Sequence, residues 1–393
     1  MSDHKHWLLP EGIVEILPPQ AFRLEQLCRD IIDLYTTWGY ELVIPPMIEY
    51  LESLLTGTGE DLDLQTFKLT DQLSGRLMGI RADTTPQVAR IDAHILKRDV
   101  PTRLCYLGSV LHTRPEGAGG SRSPLQAGAE LYGHTGADSD AEVLSLMLET
   151  LTIAGVEKVH VDLGHVGIYR TLMQASGLDA DQESRVFDVL QRKAVSELED
   201  MFTEWGIAAD TGQLFNDLMD LNGDISVLSD ARRRLKKTGP EIMNCLDELE
   251  QITDSVSRRI VGVSLNFDLA ELRGYHYHTG AVFAAYVQGR GQGIAFGGRY
   301  DDIGNAFGRA RPATGFSTDI NCLLALQTDT VHAKKGIYAP CSETPELLSR
   351  INELRKNGEI VICELPDQTG GPAEMNCDRK LELCDGSWTT INI

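Results

Sequence analysis

Apolar residues recur every three or four positions at Ala21, Leu24, Leu27, Ile31, Leu34 and Trp38, and Gly39 follows directly. That spacing predicts an amphipathic helix with a glycine stop. Leu42-Val43-Ile44 then reads as a strand that ends at Pro45-Pro46. A second strong helix is predicted from Ser139, where Ser139 and Glu142 form a capping-box pair. Its apolar face is Val143, Leu144, Met147, Leu148 and Leu151, with Gly155 near its end. Between the two helices, strand-like stretches lie around 79–81, 103–107 and 129–132, and 159–163 alternates like a strand. From about 179 to 257 helix formers and acidic runs dominate, which predicts a helical insertion. Strand signal returns at 263–269, 281–287 and 294–296, followed by an apolar helix over 320–326. Past His332 come a short strand at 336–338, a helix marked by Leu347, Leu348, Ile351 and Leu354, and a strand at 359–363. Asp385-Gly386 between 379–384 and 387–393 is a two-residue hairpin signal.

This order predicts an α+β fold: an antiparallel-type sheet flanked by helices, with a helical insertion and a small α/β C-terminal domain. The expected division is 1–178 with 258–327 as the main domain, 179–257 as the insertion and 328–393 as the tail.

Charge narrows the classes. Among 393 residues, 36 Lys and Arg stand against 58 Asp and Glu, a net of −22. Nucleic-acid affinity rests mainly on cations that neutralise phosphates, so no nucleic-acid partner is expected. No apolar run approaches the ~18–20 residues of a membrane span, and Met1–Trp7 lacks a signal-peptide profile. A cytoplasmic protein without a membrane partner is expected. The eight cysteines show no C-x-x-C spacing and read as reduced thiols. His276 and His278 are two apart in what reads as one strand, but no third ligand is near. Neither a metal nor a cofactor is expected.

Candidate chemistry sits in three polar segments: Arg81-Ala82-Asp83-Thr84-Thr85-Pro86, Gln126-Ala127-Gly128-Ala129-Glu130 and Arg273-Gly274-Tyr275-His276-Tyr277-His278-Thr279-Gly280. Gln126, Gly128 and Glu130 alternate, so a strand places them on one face. Gly128 leaves room for a ligand near the backbone. Glu130 and Asp83 suit an ammonium, and Arg273 a carboxylate through bidentate hydrogen bonds. The same residues equally suit a solvated sheet edge or an internal salt bridge.

Together with their order, these segments resemble the class II aminoacyl-tRNA synthetases, specifically the histidyl-tRNA synthetase catalytic domain, over about 8–327. Trp38-Gly39-Tyr40 through Pro45-Pro46-Met47-Ile48-Glu49 is similar to the first class II motif, a dimer element. Phe67-Lys68-Leu69-Thr70-Asp71, Gly75-Arg76 and Arg81–Thr85 resemble the stretch after it, and Tyr106-Leu107-Gly108 through Glu130 the second motif. Arg273–Gly280 resembles the histidine-specific strand. Gly297-Gly298-Arg299-Tyr300-Asp301 and Thr314-Gly315-Phe316 lead into the third motif.

Two departures matter. Synthetases of this class carry a second-motif arginine for the ATP α-phosphate; here the stretch reads Leu111-His112-Thr113-Arg114. Their third-motif arginine faces the γ-phosphate; here it reads Asp319-Ile320-Asn321-Cys322. Adenylyl chemistry depends on positioned cations, so adenylate formation should be lost. The segment after about 327 is also short for an anticodon-binding domain. This combination resembles the regulatory-subunit family of ATP phosphoribosyltransferase. The resemblance implies no turnover of its own and assembly with a short-form catalytic subunit for the first step of histidine biosynthesis. It further implies activation of that partner, transmission of histidine feedback, and a homodimer within a hetero-octamer. The histidine site it implies comprises Asp83, Thr85, Arg114, Gln126, Glu130, Arg273, Tyr277 and His278. The competing expectation is an active histidyl-tRNA synthetase or an amino-acid-adenylating paralogue.

Overall fold

The computed structural model describes residues 7–57, 60–115, 120–275, 277–327 and 334–393. The first helix, α1 (Gln20–Thr37), buries Leu27, Ile31 and Tyr35 and ends before Gly39, whose φ of 80° favours glycine. Strand β1 (Glu41–Leu42) is shorter than expected. Val43 still donates to the Cys105 carbonyl, but Ile44 is exposed and two prolines follow, so the ladder cannot continue. A small antiparallel sheet then forms from β2 (Ile48–Tyr50), β3 (Phe67–Thr70) and β4 (Leu77–Ile80), with short helices α2 (Leu51–Leu54) and α3 (Glu60–Gln65) between. Helix α4 (Thr85–Arg90) runs into a π-helical turn, Ile91–Leu96.

The main sheet begins with β5 (Thr102–Ser109) and β6 (Leu125–Tyr132). Helix α5 (Ala137–Ile153) starts two residues before the expected cap. Gly136 is its N-cap. The Ser139 hydroxyl donates to the Gly136 carbonyl (2.9 Å) and accepts from Arg299 (2.7 Å), while Arg103 holds Glu142 (2.6 and 2.8 Å). Tertiary partners have claimed both halves of the capping box. β7 (Val159–His165) and α6 (Val166–Ser176) follow.

The 179–257 region forms α7 (Ala180–Gln191), α8 (Val195–Glu204), α9 (Ala209–Asp220), α10 (Ser226–Arg234) and α11 (Pro240–Arg259). It is not purely helical, since β8 (Asn222–Gly223) adds an edge to the main sheet. Asp179 caps α7 through a true capping box with Gln182. The basic run on α10 is paired, Arg232 with Asp247 and Glu250, and Arg234 with Asp217.

β9 (Ser264–Asp268), β10 (Ala281–Val287), β11 (Ala295–Arg299), β12 (Ala313–Asp319) and α12 (Ile320–Leu326) complete this unit. The nine strands order as β1-β5-β6-β12-β11-β10-β7-β9-β8. Pairing is antiparallel through the centre, with parallel pairs β1/β5 and β7/β9 towards the edges. One face, with Ala127, Ala129, Leu131 and Phe316, packs under α1, α5 and α11. On the opposite face, Leu104, Tyr106 and Tyr132 pack with Val88 and Ala89 of α4. Residues 1–327 form one compact unit and 328–393 a second.

The second unit contains β13 (Gly336–Ala339), α13 (Pro345–Lys356), β14 (Val361–Cys363), β15 (Cys377–Cys384) and β16 (Ser387–Asn392), ordered β14-β13-β15-β16. Leu347, Ile351 and Leu354 of α13 pack on Ile337, Val361 and Leu381. Asp385 and Gly386 both take positive φ between the paired strands β15 and β16.

Candidate functional site

Strand β6 aims Gln126, Gly128 and Glu130 at the α4 side of the sheet. Register places Asp319, Ser317 and Gly315 of β12 beside them, then Phe296 and Gly298 of β11. Glycines shape this face. A Cβ on Gly315 would overlap the Glu130 carboxylate, and one on Gly298 would lie 2.9 Å from the His278 ring. Because Gly315 and Gly298 are paired, Glu130 and His278 lie over facing glycines of adjacent strands.

Glu130 is 1% exposed. Its Oε1 accepts from Thr85 Oγ1 and Tyr106 Oη, both at 3.1 Å, and its Oε2 accepts from Tyr300. Burial pushes its carboxyl up to about 8, against the three hydroxyls that favour the anion; nearby Asp83 adds to the rise. Asp83 sits nearer the solvent. Its Oδ1 accepts from Gln126 Nε2 (2.8 Å) and the Thr85 amide (3.1 Å), while Gln126 Oε1 accepts from the Thr84 amide (3.0 Å). Asp83, Thr85, Gln126 and Glu130 are thus one hydrogen-bonded cluster.

The described residues of the 273–280 segment form a turn and not the expected strand. Gly274 has a φ of 65°, and the amides of Tyr277 and His278 both return to its carbonyl. Arg273 is exposed, with its guanidinium 4.6 Å from the Phe296 ring centroid, on the same sheet face as Gly128. Tyr277 stacks on His278 at 4.2 Å. His278 is buried and its Nδ1 faces the Arg299 carbonyl at 3.2 Å, so Nδ1 carries the hydrogen and Nε2 is a bare acceptor. Burial pulls its basicity down to about 4. His276 lies outside the described residues. Arg114 is exposed and shares no hydrogen bond with the Glu130 cluster among the described residues. Among the described residues no group of three or more His, Cys, Asp and Glu is placed to hold a metal.

Sequence reading missed several contributors. Tyr106 on β5 and Tyr300, just after β11, close the Glu130 site from far apart in the chain. Arg81, buried, donates to the carbonyls of Pro45 (2.9 Å) and Ser109 (2.9 Å) and so ties the Asp83 segment to β5. All three stand within the quoted motifs, but no sequence signal assigned them these roles.

The positions where the synthetase motifs carry arginine are otherwise occupied. His112 is 8% exposed, and its Nε2 meets the Ala82 carbonyl at 2.9 Å. In the third-motif stretch Cys322, partly buried on α12, stands at the arginine position, and Asp319 caps that helix, accepting from the amides of Asn321 (3.0 Å) and Leu125 (3.0 Å). Burial raises its carboxyl. The charge of exposed Arg290, in the β10–β11 turn, reaches Asp319 and Cys322, a local cation that the sequence did not suggest.

A family model described as histidyl-tRNA synthetase matches residues 12–323. A second, described as ATP phosphoribosyltransferase subunit HisZ C-terminal domain, matches 334–391. The ATP phosphoribosyltransferase regulatory subunit of Thioalkalivibrio sulfidiphilus is 60% identical, covering 100% of both chains. A Bacillus halodurans C structure described as an ATP phosphoribosyltransferase regulatory subunit/histidyl-tRNA synthetase superposes with a TM-score of 0.82 at 27% identity, covering 94% of this chain and 95% of that one. The histidyl-tRNA synthetase from Nostoc sp. PCC 7120 shares the fold, with a TM-score of 0.79 at 18% identity over 98% and 97% of the two chains.

Proposed function

Since the chain belongs to the family of ATP phosphoribosyltransferase regulatory subunits, with a class II synthetase-like body, we propose that it binds and activates a short-form catalytic subunit and passes histidine feedback to it. It is a regulatory subunit, without turnover of its own. One observation carries the histidine reading: the amino-acid face keeps a connected Asp83–Thr85–Gln126–Glu130 cluster, while His112 and Cys322 stand at the places of the ATP arginines.

The geometry also favours a division of labour within the site. Half-buried Asp83 suits the ligand's ammonium, and exposed Arg273 its carboxylate. Glu130, deeply buried over the glycine that faces the one under His278, suits an imidazole, which is weakly basic and can donate a ring N–H. This moves Glu130 from the ammonium, where sequence alone put it, to the ring.

Assembly is proposed as a homodimer within a hetero-octamer. Exposed Leu42, Ile44, Met47 and Ile48 support a second copy at the first-motif surface. Among the described residues no helix is long and apolar enough to cross a membrane, and a cytoplasmic setting is proposed.

The test mixes the chain with a short-form catalytic subunit and follows complex formation by sedimentation and turnover with and without histidine. Faster turnover in the complex, reduced by histidine, is the expected result. An unchanged rate in a demonstrated complex would overturn the activation reading, and retained ATP–pyrophosphate exchange by the isolated chain would overturn the regulatory one.

A further inference from the structure

Outside the site described above, β7, α6 and α11 bring a cysteine, a histidine and a glutamate together. His165, the last residue of β7, is 5% exposed. Its Nε2 lies 3.0 Å from Oε2 of Glu248, and its Nδ1 accepts from the Gly167 amide at 3.1 Å, capping α6. Cys245 stands three residues before Glu248 on α11, so both project from one helix face. A Cβ on Gly167 would lie 2.9 Å from Nδ1 of His165 and 3.0 Å from Sγ of Cys245. Sulfur and imidazole therefore flank one point above the first turn of α6, a point that only glycine leaves open. The thiol is half-buried and does not share the near-complete enclosure of Cys28 and Cys105.

We propose that Cys245 is a nucleophilic thiol, with His165 as its proton acceptor and Glu248 holding the ring, that exchanges with small-molecule disulfides. A nucleophile, an adjacent base and a third group that orients the base form the arrangement that activates such side chains. The N-terminus of α6, an 11-residue helix, adds positive potential where the thiolate develops. His165 cannot accept the Gly167 amide and carry a proton on Nδ1 at once. With Nδ1 accepting, the ring carries its hydrogen on Nε2, toward Glu248, and taking the thiol proton on Nδ1 releases the Gly167 cap. Burial opposes that proton, but the neighbouring Cys245 and Glu248 outweigh it and hold the imidazolium up at about 9. Glu248 itself is kept ionised by His165 first and by the more distant Arg299, while Asp140 is the nearby acid that feels its charge.

The exchange balances simply. The Cys245 sulfur attacks one sulfur of the disulfide, forming a mixed disulfide. The S–S bond of the small molecule breaks and its other half leaves as a thiolate, which takes the proton from His165. Cys245 is oxidised and the departing half is reduced.

The experiment uses the full chain with oxidised glutathione in one arm and iodoacetamide in the other, reading each cysteine by peptide mass spectrometry. Although Cys341 and Cys384 are exposed, Cys245 should gain the glutathionyl group first. His165→Gln and Glu248→Gln should each slow Cys245 by at least about tenfold relative to Cys341 and Cys384. If Cys28 and Cys105 become labelled in His165→Gln, that variant has loosened and Glu248→Gln decides. Slower labelling of Cys245 than of Cys341 and Cys384 in the wild type, or an unchanged ratio in the folded variant, overturns the proposal.

Discussion

Replacing Glu130 by glutamine should stabilise the unliganded protein, and the gain should depend on pH. Burial holds the carboxyl at about 8 in the fold, against an ordinary value of 4.5. Below 4.5 both folded and unfolded chains are protonated and the residue costs nothing. As pH rises, the unfolded chain ionises first, and stability is lost until the folded carboxyl ionises at about 8. Each pH unit in that window corresponds to about 1.4 kcal/mol. At pH 7 the wild-type fold therefore bears roughly 3 kcal/mol, approaching about 5 kcal/mol above pH 8.

A glutamine side chain in that place would be neutral throughout and would keep the shape of the glutamate. The hydroxyls of Thr85, Tyr106 and Tyr300 can rotate to accept from an amide as readily as they donate to an oxygen. Urea unfolding of wild type and Glu130→Gln between pH 5 and 8 measures the difference directly. The midpoints should nearly coincide at pH 5 and separate steadily towards pH 8, with the variant ahead by a few kcal/mol. A separation that stayed constant with pH would refute the buried-acid argument, because a packing effect has no reason to titrate.

The other expectations use the same site and the core. Arg273→Ala should weaken histidine binding by calorimetry, at a cost of ~1.5–3 kcal/mol for a charged hydrogen bond, without moving the unfolding midpoint, since the guanidinium is exposed over Phe296. Gly315→Ala should lower the melting temperature and abolish histidine binding, because its methyl group would displace the Glu130 carboxylate. Asp92→Ala should destabilise the main unit by ~3–5 kcal/mol in denaturant unfolding, since it leaves the buried Arg311 charge without its carboxylate.

What could be read in the chain depended on how local its cause was. The α13 helix and the β15–β16 hairpin follow from Leu347, Ile351, Leu354 and Asp385-Gly386, whose signals lie within a few residues of the structure they cause. The alternation of Gln126, Gly128 and Glu130 likewise survives, since β6 is a regular strand. The failures came where distant groups compete. Ser139 looks like a cap until Arg299, 160 residues away, takes its hydroxyl. The 273–280 segment reads as a strand, yet Gly274 at positive φ brings the amides of Tyr277 and His278 back to its own carbonyl. Tyr106 was invisible as a Glu130 partner because the pairing of β5 with β6 sets which side chains meet.

On the proposed function, loss of the ATP cations changes what the histidine face can report. A site that adenylates its ligand consumes it, and its occupancy reflects flux. A site that only binds fills according to concentration, which is the quantity feedback requires. Occupancy alone still does nothing to a partner: the ligand must bind two conformations of the assembly unequally. A tenfold loss of partner activity through a shifted equilibrium needs at least about 1.4 kcal/mol of difference in histidine affinity between those conformations. The 273–280 turn is the part of this face best placed to supply it. Gly274 and the Tyr277–His278 stack set where the ring acceptor sits, and exposed Arg273 leans on the Phe296 and Tyr286 rings and bonds the Tyr286 hydroxyl. A shift of this turn would alter the carboxylate and imidazole contacts together. Histidine affinity measured for the free chain and for the complex should then differ at least tenfold, and Arg273→Ala should shrink that ratio more than a change at Asp83 does.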